Sequence, residues 1–289
     1  MIGIVWGQPP SAVPSSAARQ GVDLVIPNEV RNLLLPAQVA DASITSGTRP
    51  DATIPAMTRL TLVLFLTTFL TAQSAPVVEI TAEPHHHQTF ANDQVRVYNA
   101  ELPPHAETLM HWHRHDYIYV TLGASEVVNT VQGKDPVTVK LQDGQTGFLP
   151  GNFAHQARNL RDQPFRIVNI ELLQDDKLRA SSAKWDEDRG LDILHGGTKE
   201  ILFVKDTVRA SEIELQPGGT APMPATAFLL VAVSDLRLEA ADKPRNAPRS
   251  AWDSIDQKSG DSYWPPTGSL HALTNTGHHP AKFVTLEFH

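Results

Sequence analysis

The chain contains the run His111-Trp-His-Arg-His-Asp-Tyr-Ile-Tyr-Val120. Its aromatic and β-branched residues and its period of two predict a β-strand. Because alternate side chains of a strand share a face, three imidazoles and two phenols are expected on one side. These side chains are His111, His113, His115, Tyr117 and Tyr119. Such a face makes a poor hydrophobic core and a good metal pocket, although a solvated surface strand is an alternative interpretation.

Composition narrows the chemistry that can surround this run. The chain has 289 residues and no Cys, so a metal ion must be held by His, carboxylate or Tyr groups. The net charge of −8 argues against a nucleic-acid partner, since phosphate binding requires clustered Lys and Arg. All 13 His follow residue 84, which separates the N-terminal part of the chain from the rest.

The N-terminal part reads as a targeting segment. Residues 1–56 lack sustained periodicity and are predicted to be a disordered extension outside the fold. Residues 57–74 combine a basic start at Arg59, an apolar run from Leu60 to Ala72 and an Ala-x-Ser cleavage site, which predicts a signal peptide starting at Met57. A buried core helix is the alternative, but several Thr lower its helix propensity. We therefore expect a periplasmic or secreted protein with no integral membrane span.

The rest of the chain carries an internal repeat. Many short strand patterns separated by turn signals predict an all-β sandwich or barrel. The segments 93–96 and 101–104 recur 113 residues later, at 206–209 and 214–217. This repeat predicts two domains, over 76–176 and 192–289, joined by a linker at 177–191. At the same offset His111 falls on Pro224 and Tyr117 on Leu230, so the second copy is expected to have lost the imidazoles.

A second motif follows the histidine run and gives the chain a family resemblance. Its pattern is Gly, five residues, Pro-x-Gly, two residues, His, three residues, Asn, and together with His-x-His it resembles the motifs of the cupin superfamily. Asn152 replaces the last Gly of the first copy, a mild departure because Asn tolerates a left-handed backbone. The resemblance implies a bicupin: two tandem conical β-barrels, each a jelly-roll-like double-stranded β-helix. The matching residues are Gly144, Pro150, His155 and Asn159, and then Gly260, Pro266, Gly268, His271 and Asn275.

The resemblance also implies a metal site in the first copy. His111, His113 and His155 are its expected ligands, and Tyr117 stands where the family has Glu. Tyr117 is therefore a fourth ligand or a hydrogen-bond donor to a bound molecule, and His115 replaces one ligand if the register slips. The expected cofactor is one divalent transition metal: Fe, Mn, Zn, Ni or Cu.

Other polar residues receive weaker assignments. Tyr117 and His115, with Tyr119, are candidate acid–base residues. Further candidates around the ligands or at the barrel mouth are Asn159, His105 and Glu107. His271 has lost its partner ligands and is expected to be a hydrogen-bonded core or pocket residue. The triplet 85–87 is interpreted as a polar lead-in to a strand, with adventitious metal binding as the alternative.

The functional prediction is a metal-dependent enzyme, of oxygenase, isomerase or lyase type, acting on a small polar or phenolic molecule. A non-catalytic bicupin that captures a small molecule is the alternative, because the second copy is degenerate. A purely structural zinc is a third reading, disfavoured because a fold of this size has enough core without one. A homodimer is also consistent with the family resemblance.

Overall fold

The computed structural model describes residues 76–174, 185, 189–240 and 254–289. The predicted N-terminal extension, the signal peptide and residues 177–184 and 186–188 of the predicted linker lie outside these residues. The described chain is built from β-strands and one 3-10 turn, Ile80–Ala82. None of its segments forms a helix with the length and apolar character needed to cross a membrane.

The strands of residues 78–172 form two five-stranded sheets. One sheet has the order β1-β4-β9-β6-β7 and the other β2-β3-β10-β5-β8. All pairs are antiparallel except β1 with β4. The strands are β1 Val78–Glu79, β2 His86–Ala91, β3 Val95–Leu102, β4 His111–His113, β5 Tyr117–Leu122, β6 Ser125–Val131, β7 Val137–Leu141, β8 Thr146–Leu149, β9 Phe153–Asn159 and β10 Phe165–Leu172.

The strands of residues 190–288 form a third sheet, in the order β15-β14-β17-β12-β18-β13-β16, with β11 paired to β12. β11 begins inside the predicted linker, two residues before the predicted start of the second domain. The strands are β11 Gly190–Lys205, β12 Val208–Pro222, β13 Ala227–Ala232, β14 Leu236–Ala240, β15 Ser254–Gln257, β16 Ser262–Tyr263, β17 Ala272–Asn275 and β18 Ala281–Phe288.

The prediction of one continuous strand over residues 111–120 is wrong, because the chain turns a corner at residues 114–116. β4 and β5, on either side of the corner, belong to different sheets. The carboxylate of Asp116 accepts a hydrogen bond from the backbone N–H of Gly151 at 2.8 Å, and Asn152 donates its N–H to the carbonyl of His113 at 2.7 Å. A Cβ on Gly151 would lie 2.3 Å from the carbonyl carbon of His115, so only Gly fits here. Asn152 adopts the predicted left-handed backbone, with φ of 63°.

The same strand pairings occur in both parts of the chain, but the number of residues between matching positions is not constant. Glu171 of β10 pairs with Arg96 of β3, and Glu287 of β18 pairs with Arg209 of β12 in the same way. On the other side of these strands, Glu171 pairs with Tyr117 and Glu287 with Phe228. Phe228, rather than Leu230, is therefore the counterpart of Tyr117.

The constant offset of 113 residues also fails to predict the counterpart of His111. Its Cα partner across the sheet is His155, the motif histidine of the first copy. In the second copy Met223 donates its backbone N–H to the carbonyl of the motif histidine, His271, at 2.8 Å. Met223, rather than Pro224, therefore occupies the place of His111.

One hydrophobic cluster joins the two parts. Strands β3, β5 and β10 contribute apolar side chains to it from one part, and β12, β13 and β18 from the other. Because side chains alternate along a strand, the opposite face of β3, β5 and β10 remains free to line a cavity. Burial of both faces explains the strongly apolar sequence of β10. Fully buried members of the cluster include Val97, Ile118, Val168, Ala210, Leu229 and Val284.

We expect Asn159→Ala to destabilise the fold without removing the metal-site ligands. The buried Asn159 amide donates to the carbonyls of Leu102 at 3.2 Å and Gln163 at 2.8 Å, and the Asn275 amide makes matching bonds in the second copy. Leaving these carbonyls without a donor costs about 1–3 kcal/mol. Urea unfolding measures this loss, and Arg161→Ala is the control because Arg161 contacts Asn159 through its backbone N–H. Equal stability of both variants would contradict the assignment.

Candidate metal centre

Three imidazoles meet where β4 and β9 pair. His111 and His155 are directly opposite each other in the antiparallel pair, and His113 lies two residues further along the same face of β4. One nitrogen from each ring can be chosen so that all three lie within 4.8 Å of one another. His111 and His113 are 0% and 1% exposed. Among the described residues this is the single group of His and carboxylate side chains that is close enough to hold a metal ion.

Hydrogen bonds fix two of these rings so that Nε2 faces the shared space. The Nδ1 atom of His111 lies 2.8 Å from the carbonyl oxygen of Leu109, and Nδ1 of His155 lies 2.6 Å from Oδ1 of Asn129. Both partners are acceptors, so each Nδ1 carries the proton and each Nε2 presents a lone pair. The Nε2 of His111 is buried and has no hydrogen-bond partner among the described residues. This arrangement is typical of histidines that bind metal ions.

The third ring brings a nitrogen close enough to share a cation. Nε2 of His113 lies 3.1 Å from Nε2 of His155. Two ligands at about 2.1 Å from one ion lie about 3.0–3.4 Å apart in octahedral or tetrahedral geometry, so the separation suits a common metal ion. The buried Nδ1 of His113 also lacks a partner in the described chain. The residues present therefore fit a divalent transition metal.

Burial keeps the three imidazoles in the neutral form that binds metal. Desolvation lowers the pKa of His111 to about 4, and the electrostatic effect of neighbouring His86 lowers it further. Desolvation also lowers the pKa of His113 and that of His155 well below the ordinary range, with neighbouring histidines contributing. Neutral imidazoles at pH 7 offer lone pairs, so protons compete weakly with a metal ion for these sites.

The ligand group faces a cavity of about 120 Å³ between the two five-stranded sheets. His111 and His155 form part of the cavity wall, and Asn129, Asn169, Tyr117 and Tyr119 supply further polar groups. The other wall positions are mostly aliphatic or aromatic, so the cavity has a polar metal-binding end and an apolar body. The apolar residues include Leu102, Val127, Val139, Leu141, Phe153, Phe165 and Ile167.

The motif residues of the two copies play matching roles in the backbone. Gly144 and Gly260 have φ of 74° and 98°, as turns next to the motif require. Asn159 and Asn275 each donate to a carbonyl of the neighbouring strand and to one in the following loop. In the first copy the motif His155 joins the His-x-His pair. These matching roles support the resemblance of the chain to the cupin superfamily.

Comparisons with known proteins return similar solved structures. The chain is similar to a cupin domain from Bordetella pertussis Tohama I, with 28% identity over 30% of this chain and 90% of that one, at a TM-score of 0.29. It is also similar to oxalate decarboxylase from Bacillus subtilis, with 11% identity over 73% of this chain and 76% of that one, at a TM-score of 0.47. AerE from Microcystis aeruginosa matches with 13% identity over 72% of this chain and 98% of that one, at a TM-score of 0.47.

Sequence searches add no closer relative. No protein-family model matches the chain, and no curated protein does.

Tyr117 lies beside the three imidazoles as a neutral phenol. Its ring stacks on His113 with centroids 4.2 Å apart and an interplanar angle of 17°, and Phe153 stacks on His113 at 5.6 Å. Burial raises the pKa of Tyr117 far above its ordinary value, with Tyr119 and Glu171 adding to the shift. Tyr117 is therefore suited to donate a hydrogen bond or to orient His113.

His115 is not brought into the ligand group. It sits at the corner between β4 and β5, where Gly151 packs against its backbone, and it is not part of the cavity wall. Because the chain turns a corner after His113, His115 does not share a strand face with His111 and His113. No register slip places it among the ligands.

The residues predicted to surround the ligands lie elsewhere. Asn159 has a structural role. The His105 ring pairs with Asp162 at 2.9 Å on the surface, and the backbone of Glu107 forms an isolated antiparallel β-bridge with that of Arg158. The groups that hold the ligands are Asn129 and the carbonyl of Leu109. Asn129 was detectable in principle, because it interrupts an alternating apolar pattern in β6. A backbone carbonyl leaves no signal in the sequence.

The described residues of the second copy contain no comparable site. His271 is exposed, so the prediction of a core or pocket residue is wrong. The interior of the third sheet is filled by apolar side chains instead, including Met223 at the place of His111. The metal chemistry of the described chain is therefore confined to the first copy. Fully buried members of this apolar interior are Ile213, Leu215, Leu230, Leu238 and Phe283.

We expect metal-free protein to lose stability as the pH falls from about 6.5 towards 4. The pKa of His111 is about 4 in the folded chain and near 6.5 when unfolded. The unfolded state therefore binds a proton that the folded state does not, which costs up to about 1.4 kcal/mol per pH unit and per histidine. Urea unfolding with a chelator across this pH range measures the slope. His111→Gln should reduce it, and a flat wild-type profile would contradict the buried neutral imidazoles.

Proposed function

We propose that this cupin is a metal-dependent enzyme of oxygenase, isomerase or lyase type that acts on a small molecule. The single observation that carries the proposal is the paired orientation of His111 and His155. Each ring has its Nδ1 proton held by an acceptor, which leaves Nε2 as the ligand atom, and Nε2 of His155 lies 3.1 Å from Nε2 of His113. Holding three neutral imidazoles in this way in a buried site is costly for a fold that binds nothing there.

The cavity supports a particular class of substrate. Its metal-binding end suits a ligand with one or two oxygen donors, such as a phenol, an enol or a keto acid. Its aliphatic and aromatic body suits a ligand whose remaining part is apolar and compact, because the cavity volume is about 120 Å³. A phenolic or short unsaturated substrate satisfies both conditions.

The chain's own groups would then bind, orient and hold protons. A bound metal ion would supply Lewis-acid polarisation of the substrate oxygen, or redox chemistry if it is Fe, Mn or Cu. Tyr117 would hold His113 by stacking and keep a proton at its phenol oxygen. Tyr119 lies in the cavity wall, and burial raises its pKa, so it also retains its proton at neutral pH. The apolar wall would keep bulk water away from the reacting atoms.

Three features of the proposal are supported by the sequence. The segment 57–74 has the pattern of a signal peptide, which favours the periplasm or the outside of the cell. The repeat favours two domains, over 76–176 and 192–289, forming tandem barrels. The cupin resemblance favours a homodimer. Subcellular fractionation, limited proteolysis and light scattering test these in turn.

The alternative function is a non-catalytic bicupin that captures a small molecule. The observation that favours it is the apolar filling of the second copy, which leaves a domain-sized part of the chain without metal chemistry. Both functions share the metal centre, so they are separated by turnover and not by metal content.

We expect the full chain to bind one divalent transition metal ion per molecule. His111→Ala, His113→Ala and His155→Ala should each weaken binding by at least about 10-fold, because each removes one of three protein ligands. Plasma mass spectrometry gives the stoichiometry, and competition with a chromogenic chelator gives the affinity. His105→Ala is the control, since its ring lies on the surface.

Turnover is then tested on catechols, flavonols and keto acids by oxygen consumption and by product analysis. Loss of turnover in His155→Ala but not in His105→Ala would support the enzyme. A wild-type chain that binds a metal ion and a panel compound without converting it would favour the binding protein. A chain that takes up none of Fe, Mn, Zn, Ni or Cu would overturn both.

A further inference from the structure

His86 is a fourth imidazole beside the cupin metal centre. It is the first residue of β2, it lines the same cavity as His111 and His155, and its side chain is 5% exposed. Its ring centroid lies 4.7 Å from that of His111, with 53° between the rings. The next residue, His87, points the other way and is exposed, as strand alternation requires. The interpretation of 85–87 as a uniform polar lead-in therefore misses a difference between neighbours.

A buried carboxylate holds this fourth ring. Oε2 of Glu83 lies 2.6 Å from Nδ1 of His86, and Oε1 lies 3.0 Å from Nδ1 of His85. The Glu83 side chain is 0% exposed. Burial alone would raise the pKa of Glu83, but the hydrogen bonds from His86 and His85 outweigh it and lower the pKa to about 2. With Nδ1 bound to this carboxylate, Nε2 is the nitrogen of His86 that remains for a ligand.

One residue, Leu109, connects the carboxylate of Glu83 to His111. The backbone N–H of Leu109 donates to Oε1 of Glu83 at 3.2 Å, and the carbonyl of Leu109 accepts from Nδ1 of His111 at 2.8 Å. Glu83 therefore fixes His86 directly and His111 through one residue. A carboxylate that only capped the start of β2 would not need this second connection to the metal centre.

The ring of His86 adjoins the three imidazoles of the predicted ligand group. With a metal–nitrogen distance of about 2.1 Å, the ring centroids of adjacent imidazole ligands lie roughly 4.5–5.3 Å apart. The pairs among His111, His113 and His155 measure 5.1, 4.6 and 5.0 Å. The ring of His86 lies 4.7 Å from that of His111 and 6.4 Å from that of His113, so it adjoins the group on the His111 side.

The second copy supports the same grouping. In the first copy His86 pairs with Ala100 of β3, and the matching pair in the second copy is Lys199 with Ile213 of β12. The second copy thus has Lys in place of His86 as well as Met in place of His111. The second copy therefore lacks imidazole counterparts of both His86 and His111.

We propose that His86 is the fourth protein ligand of the metal ion and that Glu83 is its positioning residue. The inference rests on the proposed function, because it requires that His111, His113 and His155 bind a metal ion. His86 takes the role that the cupin resemblance gives to a carboxylate, whose place is filled by the neutral phenol of Tyr117. A set of four imidazoles without a carboxylate favours Cu, Zn, Ni or Fe over Mn.

The wild-type full chain loaded with one equivalent of Cu²⁺ tests the ligand count directly. Pulsed electron paramagnetic resonance should detect four coordinated imidazoles, and three would overturn the proposal. His86→Ala should lower the count by one and weaken Zn²⁺ binding by about 10-fold or more in chelator competition. Glu83→Gln should weaken Zn²⁺ binding to a smaller extent and keep all four imidazoles.

His87→Ala is the matched control, since it removes a histidine from the same strand on the opposite face. It should leave the imidazole count and the Zn²⁺ affinity unchanged. His86→Gln, which keeps a polar side chain in the cavity, checks that any loss is not caused by collapse of β2. Wild-type affinity and imidazole count in both His86 variants would overturn this inference alone. A wild-type chain that takes up no ion would overturn the proposed function as well.

Discussion

The pairing of β4 with β9 is the constraint on which the site depends. It sets His111 directly opposite His155 and places His113 on the same face. Burial removes water from the rings of His111 and His113, His155 is half-buried, and acceptors at Leu109 and Asn129 hold two of the three rings in one orientation. The cost of burying neutral imidazoles with unpaired nitrogens is offset when one cation binds them together.

The same arrangement of strands encloses a cavity in the first copy and a packed apolar interior in the second. In the first copy the inner faces enclose a cavity with a metal-binding end. In the second copy the equivalent faces carry Leu, Ile, Met and Phe, and the interior is packed. The outer faces of the two copies meet in one shared cluster, in which Val97 and Val284 are both fully buried. The second copy therefore supports one face of the β3-β10-β5 sheet, whose other face lines the cavity.

Much of the fold could be predicted from the sequence because motif spacing is local. The His-x-His run, His155 and the turn at Asn152 were found from residue types and distances along the chain. The split between β4 and β5 was not, because the corner depends on Asp116 meeting Gly151, which lies far along the chain. An alternating pattern continues through such a corner, so periodicity alone does not reveal it.

The wider site was harder to predict for a similar reason. His86 and His87 are identical in the sequence, and they differ only through the pairing of β2 with β3. In the sequence Glu83 looks like an ordinary acidic residue, and only the fold brings its carboxylate to the backbone N–H of Leu109. The repeat offset also changes between strands, which moved the predicted counterparts of His111 and Tyr117 by one or two residues. Partners set by long-range contacts leave no mark in local spacing.

Anomalous diffraction from crystals of the metal-loaded full chain tests the central claim most directly. Data collected on both sides of the metal's absorption edge locate the ion independently of any assumption about ligands. The account predicts one strong peak within coordination distance of the Nε2 atoms of His111, His113 and His155. A fully loaded chain whose peak lies elsewhere, for example at the exposed His87, would contradict it.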